Sequence, residues 1–332
     1  MTIQQNIISN FEALCEIEQC QEKPNHFKLR SYRKIIKLFS NETNMEQFQI
    51  DDFKLYLQQN GMKNPKKTVL KITEILNNGT LSELQKTTIN YEKIKSIKDL
   101  TSVYGIGIKK AKELMKLQIT SVEQLKESVI KDDTIINKKQ LIGLNYHEDL
   151  LKRIPRNEIC EFETIIETII TKNYSNQIKF TISGSYRRNS KTSGDIDLLV
   201  TSNTLQSLNL LYKDLYKMNI IKETLAKGKK KFMGVISYNN YPHRHLDIIE
   251  TTQKDYAFAI LYFTGSGAFN VRFRKHALDK GYSLNEYTMK HKNGEQLNTQ
   301  LIKNKIKKNW FETERDIFDF LDFPYVSPEL RV

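Results

Sequence analysis

The sequence predicts a multidomain protein, helical through about residue 150 and α+β beyond it. Three observations carry this expectation. Apolar residues in the first half recur at helical spacing, as in Val69, Ile72 and Leu76. From residue 179 onward short apolar runs replace that pattern: KFTIS (179–183), DIDLLV (195–200), FMGVIS (232–237) and HLDIIE (245–250). Helical segments at 158–172 and 204–218 accompany these strands, which predicts a sheet with helices on one face.

Taken in order, residues 1–85 read as helices. In NPKKTVLKITEILNNGTL (64–81), Asn64 reads as the N-cap, Pro65 as the first helical residue and Gly79 as the residue just past the end. Val69, Ile72 and Leu76 form the buried stripe, and Lys67 and Lys71 share the polar face. Residues 86–150 are also helical and contain LTSVYGIGIKKAKELMKL (100–117). There Gly105-Ile106-Gly107 makes a tight turn that can expose N–H groups at a helix N-terminus, with Lys109, Lys110 and Lys112 on the following helix. This pattern suits a helix-hairpin-helix that grips a phosphate backbone; the alternative is a plain connecting turn. The tail, 252–332, alternates helix and short strand.

A chain of 332 residues accommodates two to four modules. Its net charge of +13 points to a polyanionic partner, because each Lys or Arg that neutralises a phosphate releases a counterion. The alternative is a lysine-rich protein from an AT-rich genome. The N-terminus, MTIQQNIISNF, lacks the pattern of a secretory signal, and AFAILYF (257–263) is too short to span a bilayer. The expected environment is therefore neither secreted nor membrane. Cys15, Cys20 and Cys160 make no disulfide framework, and Cys15 and Cys20 with His26 match no standard zinc spacing.

The chemistry concentrates in GSYRRNSKTSGDIDLLV (184–200). Asp195 and Asp197 stand two apart, so on a strand they share one face at roughly 6–7 Å. Gly184 allows close backbone approach, Ser185 and Arg188 can donate to phosphate oxygens, and Ser193 and Gly194 form a second polar turn beside the acids. Paired carboxylates beside a basic glycine turn suit Mg²⁺-dependent nucleotidyl transfer, since Mg²⁺ binds carboxylates together with substrate phosphates. Two-metal transfer needs a third carboxylate, and Asp247 in HRHLDIIE is the best candidate, on a separate strand that can pair beside the first.

GSYRRNSKTSGDIDLLV, HRHLDIIE and YFTGSGAFNVRFRKHALDKGYSLNEYT (262–288), with GIGIKKA, KRIPRNE (152–158) and TERDIFDFLDFPY (313–325), closely resemble DNA polymerase family X in sequence and in order. The resemblance covers essentially the whole chain. It implies a 5′-deoxyribose-phosphate lyase-like domain (1–85), a helix-hairpin-helix DNA-binding subdomain (86–150), a catalytic nucleotidyltransferase palm (151–255) and a nascent base-pair and dNTP-binding subdomain (256–332). It implies that Asp195, Asp197 and Asp247 bind two Mg²⁺ ions, for which Mn²⁺ would substitute. Arg153, Gly184, Ser185, Arg188, Ser193 and Gly194 would hold the triphosphate. Tyr262, Phe263 and Gly265 would form the sugar-sensing turn, Asn270 would contact the incoming base and Arg274 the template side. Lys71 would be the Schiff-base lysine, with Lys67 one turn earlier toward the DNA and His26 and Tyr32 near the 5′-phosphate pocket. Gly105, Gly107, Lys109 and Lys231 would touch the DNA backbone, with a monovalent cation at the hairpin 100–107. The implied partners are gapped or nicked DNA, dNTP and repair proteins such as DNA ligase. The chain would act as a monomer, nuclear in a cell or cytoplasmic for a virus.

Several positions depart from the family pattern. Pro65 stands in the first hairpin in place of glycine, and Leu70 in place of the acid before the lyase lysine. Ile249 and His245 replace arginines, and Gly267 replaces an acid. Two other readings stay open. A template-independent or RNA-tailing nucleotidyltransferase is opposed by Tyr262-Phe263 and by the short connection YNNYPHR (238–244), which such relatives lengthen. A non-catalytic DNA-gap binder is opposed by the presence of all three acids.

Overall fold

The computed structural model describes residues 2–21, 23–40, 47–86, 91–175, 177–202 and 206–331. The chain divides into two compact units, Met1–Gln140 and Leu141–Val332.

The first unit is helical. Helices Ile3–Cys20, His26–Ser40, Ile50–Gln59 and Lys66–Asn78 bury Phe11, Ile35, Phe39, Phe53, Ile72 and Ile75 in one core. The Lys66–Asn78 helix starts one residue later than expected: Pro65 is the N-cap rather than the first helical residue, and Asn64 lies outside. Its buried positions are Ile72 and Ile75, while Val69 and Leu76 are only partly covered. Gly79 ends the helix at φ +73°, the left-handed cap that glycine adopts without strain. Further along, helices Tyr91–Ser102 and Ile108–Lys116 flank the GIG turn. Gly105 has φ +85° and its carbonyl accepts a hydrogen bond from Gln140 Nε2 at 3.0 Å. Gly107 caps the second helix, and a Cβ there would meet no atom within 4 Å. Lys109 is exposed beside it, whereas Lys112 donates to the Gln21 carbonyl at 2.6 Å.

The second unit is α+β. Its strands are β1 (Ile154–Pro155), β2 (Lys179–Ile182), β3 (Thr192–Ser193), β4 (Ile196–Thr201), β5 (Ile221–Lys227), β6 (Lys231–Ile236), β7 (Arg244–Thr251), β8 (Tyr282–Leu284) and β9 (Met289–His291). The main sheet has the order β2-β4-β7-β6-β5; β4 and β7 run parallel and the other neighbours antiparallel. The helical segment expected at 204–218 is Ser207–Lys217; positions 204 and 205 lie outside the described residues. β5 was not expected from the sequence. It is an edge strand with two register shifts, which breaks the simple alternation by which strands are read.

The sheet is covered on both faces, not one. Leu198, Val200, Leu246 and Ile248 pack with helices Arg156–Tyr174 and Ser207–Lys217. On the other face Leu199 and Ile249 pack with Ala259 and Ile260 of helix Tyr256–Thr264. The continuous run Leu198-Leu199-Val200, entirely buried, is what a strand covered on both sides requires. Ile249 therefore fills an apolar contact.

Two buried charge networks brace this unit. Arg244 at the start of β7 donates to both carboxylate oxygens of Glu158 at 2.7 and 2.8 Å, and to the Lys152 carbonyl at 3.0 Å. Glu314 accepts from Arg187 at 2.8 and 3.2 Å and from Arg331 at 2.8 Å. Although burial opposes its ionisation, these guanidinium contacts hold the Glu314 carboxyl below its ordinary range. No helix among the described residues is long and apolar enough to cross a membrane.

Candidate active site

The parallel pairing of β4 with β7 sets Asp197 directly opposite Asp247. Adjacent strands lie about 4.8 Å apart, so the two carboxylates emerge side by side on one face. Asp195 stands one residue before β4, exposed, rather than on the strand itself. The face is the one that helix Tyr256–Thr264 covers further along, so the end of that helix comes down beside the acids.

β2 leads into the short helix Gly184–Arg187. Gly184 has φ +57°, and a Cβ on it would come within 2.3 Å of Asp197 Oδ2. Glycine is thus required twice here, for the backbone and for room beside the carboxylate. The Ser183 N–H donates to the Asp197 carbonyl at 2.8 Å, which ties this turn to β4. Gly184→Ala should strain the backbone by roughly 1–2 kcal/mol and displace the carboxylate. The variant should still unfold cooperatively, at a Tm lower by roughly 2–8 °C.

The β1–β3 pairing brings Arg153 against the second turn: its guanidinium donates to Thr192 Oγ1 at 3.2 Å and to the Thr192 carbonyl at 2.6 Å. A Cβ on Gly194 would press on Arg153 Nη1 at 3.2 Å. Ser185 Oγ donates to Ser193 Oγ at 2.9 Å, which joins the two turns. Arg188 donates to the Thr264 carbonyl at 2.6 Å, and Asn270 Nδ2 donates to the Tyr262 carbonyl at 2.7 Å. Gly265 follows with φ +69°.

These groups line one cleft of about 670 Å³. It takes in Arg153, Gly184, Ser185, Arg188, Gly194, Asp195, Asp197, Tyr262, Phe263, Gly265 and Asn270. Ser193 is buried behind it. Ser190, Lys191 and Thr192 also line the cleft and were missed; their signal was their position between the two turns. Arg274 lines a separate small pocket with Tyr262 and Asn270. Lys231, expected on DNA, forms an ion pair with Asp247 Oδ2 at 2.7 Å and remains 48% exposed.

Burial, together with the charges of Asp195 and Asp247, pushes the Asp197 carboxyl up to about 7, against the pull of Lys231 and Arg188. Burial likewise pushes the His245 ring down, so the imidazole beside Asp247 favours its neutral form. Asp247 Oδ1 is buried with no hydrogen-bond partner. Crowded carboxylates, an unused carboxylate oxygen and the space kept open by Gly184 fit a hard cation. Among the described residues no group of three or more His, Cys, Asp or Glu side chains forms a ready-made metal cage. Mg²⁺ does not need one, because substrate phosphates and water complete its shell.

In the first unit Lys71 forms an ion pair with Glu83 of the short helix Ser82–Lys86. Glu83 and Tyr32 line a cavity of about 230 Å³ with Glu18 and Lys28. His26 and Lys67 are exposed and do not line it. Neither Glu83, on the short helix that follows, nor Glu18, on the first helix, was expected.

Comparison with known proteins follows the same layout. Residues 98–151 match the model for the fingers domain of DNA polymerase lambda, 153–253 the DNA polymerase beta palm and 259–332 the DNA polymerase beta thumb. DNA polymerase lambda of Arabidopsis thaliana is 29% identical over 281 residues, covering 78% of this chain and 50% of its own length. DNA polymerase lambda of Rattus norvegicus is 28% identical over 279 residues, covering 79% and 46% respectively. The DNA nucleotidylexotransferase of Gallus gallus is 26% identical over 295 residues, covering 77% and 55%. The chain thus spans about half the length of the relatives it matches. With three adjoining models in chain order over a palm sheet that pairs Asp197 with Asp247, the chain belongs to DNA polymerase family X and resembles DNA polymerase beta.

Proposed function

We propose that this protein is a DNA-directed DNA polymerase that fills short gaps during DNA repair. The observation that carries the reading is the β4–β7 pairing, which sets Asp247 beside Asp197 at a cleft lined by Asp195, Asp197, Arg153, Arg188 and Lys191. One end of that cleft suits metal and the other suits phosphate. Asp195, Asp197 and Asp247 would hold Mg²⁺, which when bound supplies charge stabilisation and a more acidic primer 3′-hydroxyl. The chain's own contribution is placement. Arg188, anchored on the Thr264 carbonyl, and Arg153, anchored on Thr192, present cations to the triphosphate without reorganising. Asn270 fixes the Tyr262–Gly265 turn where the deoxyribose would lie. Lys231 neutralises Asp247 through its ion pair, and would be free to contact DNA where a cation holds that carboxylate.

The connection between β6 and β7, residues 237–243, is short and supports templated synthesis over template-independent addition. Presenting each dNTP separately on gapped duplexes with each templating base tests this. Addition should follow the template; addition indifferent to the templating base would favour the template-independent reading.

The first unit adds a second proposed activity, removal of 5′-deoxyribose phosphate through Lys71. A lysine beside a small cavity lined with Lys28 and Tyr32 suits capture of a sugar phosphate. Lys71→Ala should abolish most borohydride-trapped enzyme–DNA adduct while gap synthesis persists. Unchanged trapping would move the nucleophile to another lysine.

A further inference from the structure

The position before Lys71 holds Leu70, which is 62% exposed and offers no acid–base group. The acid comes from elsewhere. Lys71 Nζ donates to Glu83 Oε2, and Glu83 forms part of the wall of the cavity described above. The pair is accessible to a macromolecular substrate, with 24% of the Lys71 side chain and 47% of the Glu83 side chain exposed.

The other polar groups of that cavity are placed for different work. Glu18 accepts from the Asn25 N–H at 2.8 Å and pairs with Lys28 at 3.4 Å. The Tyr32 phenol is pushed up to about 12 by burial and by the negative charges of Glu83 and Glu18, so at neutral pH it donates and does not accept protons. Lys28 supplies a positive charge for a sugar phosphate. That leaves Glu83 as the carboxylate in contact with the amine.

We propose that Glu83 is the proton-transfer residue of the Lys71 site. This rests on Lys71 being the Schiff-base lysine. Lys71, after losing a proton to solvent, adds through Nζ to C1′ of the ring-opened sugar aldehyde. The carbinolamine loses water and becomes an iminium. The Glu83 carboxylate then takes a proton from C2′, and the C2′–H electron pair becomes the C2′=C3′ double bond. The C3′–O bond breaks, and its electron pair departs with the phosphate oxygen of the DNA strand. Water hydrolyses the iminium, which frees Lys71 and the unsaturated sugar phosphate, and Glu83 returns its proton to solvent. No oxidant or reductant enters. A carboxylate held against the reacting amine is within reach of C2′, two bonds away from the nitrogen, so one residue can serve the elimination.

The test uses the full chain on nicked duplex DNA carrying a 5′-deoxyribose phosphate. Borohydride trapping and single-turnover strand release are measured separately for wild type, Glu83→Gln, Glu83→Asp and Lys71→Ala. Glu83→Gln should trap adduct within about 2-fold of wild type yet release product on the order of 10²-fold more slowly. Its release rate should lose the acidic limb of the pH profile, and Glu83→Asp should restore part of the rate. Equal loss of trapping and release in Glu83→Gln would overturn the proposal and make Glu83 a residue that only orients Lys71. Release at the wild-type rate would also overturn it, with the lyase reading intact. Absence of a wild-type adduct, or undiminished trapping by Lys71→Ala, would remove the lyase reading and this proposal with it.

Discussion

Asp197→Asn should lose nearly all nucleotide insertion while binding gapped DNA as wild type does. Asp197 lies between Asp195 and Asp247 and beneath Gly184, so it is the carboxylate to which the other groups are fitted. Asparagine keeps the shape and removes the charge. A bound divalent cation contributes several kcal/mol of charge stabilisation to such a transfer, so loss of a ligand should lower the rate roughly 10³-fold or more. The fold should not suffer, because removing one of three crowded negative charges relieves repulsion. DNA affinity by fluorescence anisotropy and insertion by quenched flow read the two effects separately. A parallel loss of both would mean that Asp197 serves the fold and not the chemistry.

Arg244→Ala should be the most destabilising single change in the second unit. The guanidinium is 4% exposed and its partner Glu158 only 1%, so truncation leaves an uncompensated buried carboxylate. Breaking such a pair costs about 3–5 kcal/mol. For a unit of this size, roughly 2–4 °C of Tm accompanies each kcal/mol, so a fall of roughly 6–20 °C is expected. The pair joins helix Arg156–Tyr174 to the start of β7, three residues before Asp247, so activity should fall before the protein melts. The double variant Arg244→Met with Glu158→Leu should recover most of the lost stability, since apolar replacement of a buried pair is often neutral. Calorimetry on wild type and the two variants checks this. A drop in Tm equally large in the double variant would show that the bidentate geometry, rather than the stranded charge, holds the sheet.

Much of the polymerase-like site was legible in the sequence, because its chemistry is compressed into short runs. Asp195, Asp197, the glycine turn and the Tyr262–Gly265 turn each lie in a few consecutive residues, and the structure gathers them into one cleft. What escaped depends on partners far apart in the chain. The parallel register of Asp197 with Asp247 spans fifty positions, and nothing local specifies it. Arg187 with Glu314, and Arg188 with the Thr264 carbonyl, are likewise joined only by the fold. β5 was lost because its bulges disrupt the alternation, and Ile221 and Leu225, four apart, also fit a helix. The second covered face could have been read from Leu198-Leu199-Val200, since three consecutive buried residues leave no solvent side. In the first unit Lys71 was identified by resemblance, but its partner Glu83 could come only from the packing of two helices.

The decisive assay is single-nucleotide insertion into a one-nucleotide gap bearing a 5′-phosphate, with Mg²⁺, by wild type beside Asp197→Asn. Wild type should add the nucleotide complementary to the template, chelation with EDTA should stop the addition, and the variant should add essentially none although it binds the gap. Insertion by the variant at the wild-type rate, or gap binding by wild type with no insertion under Mg²⁺ or Mn²⁺, would refute the assignment of Asp197 and of the polymerase activity.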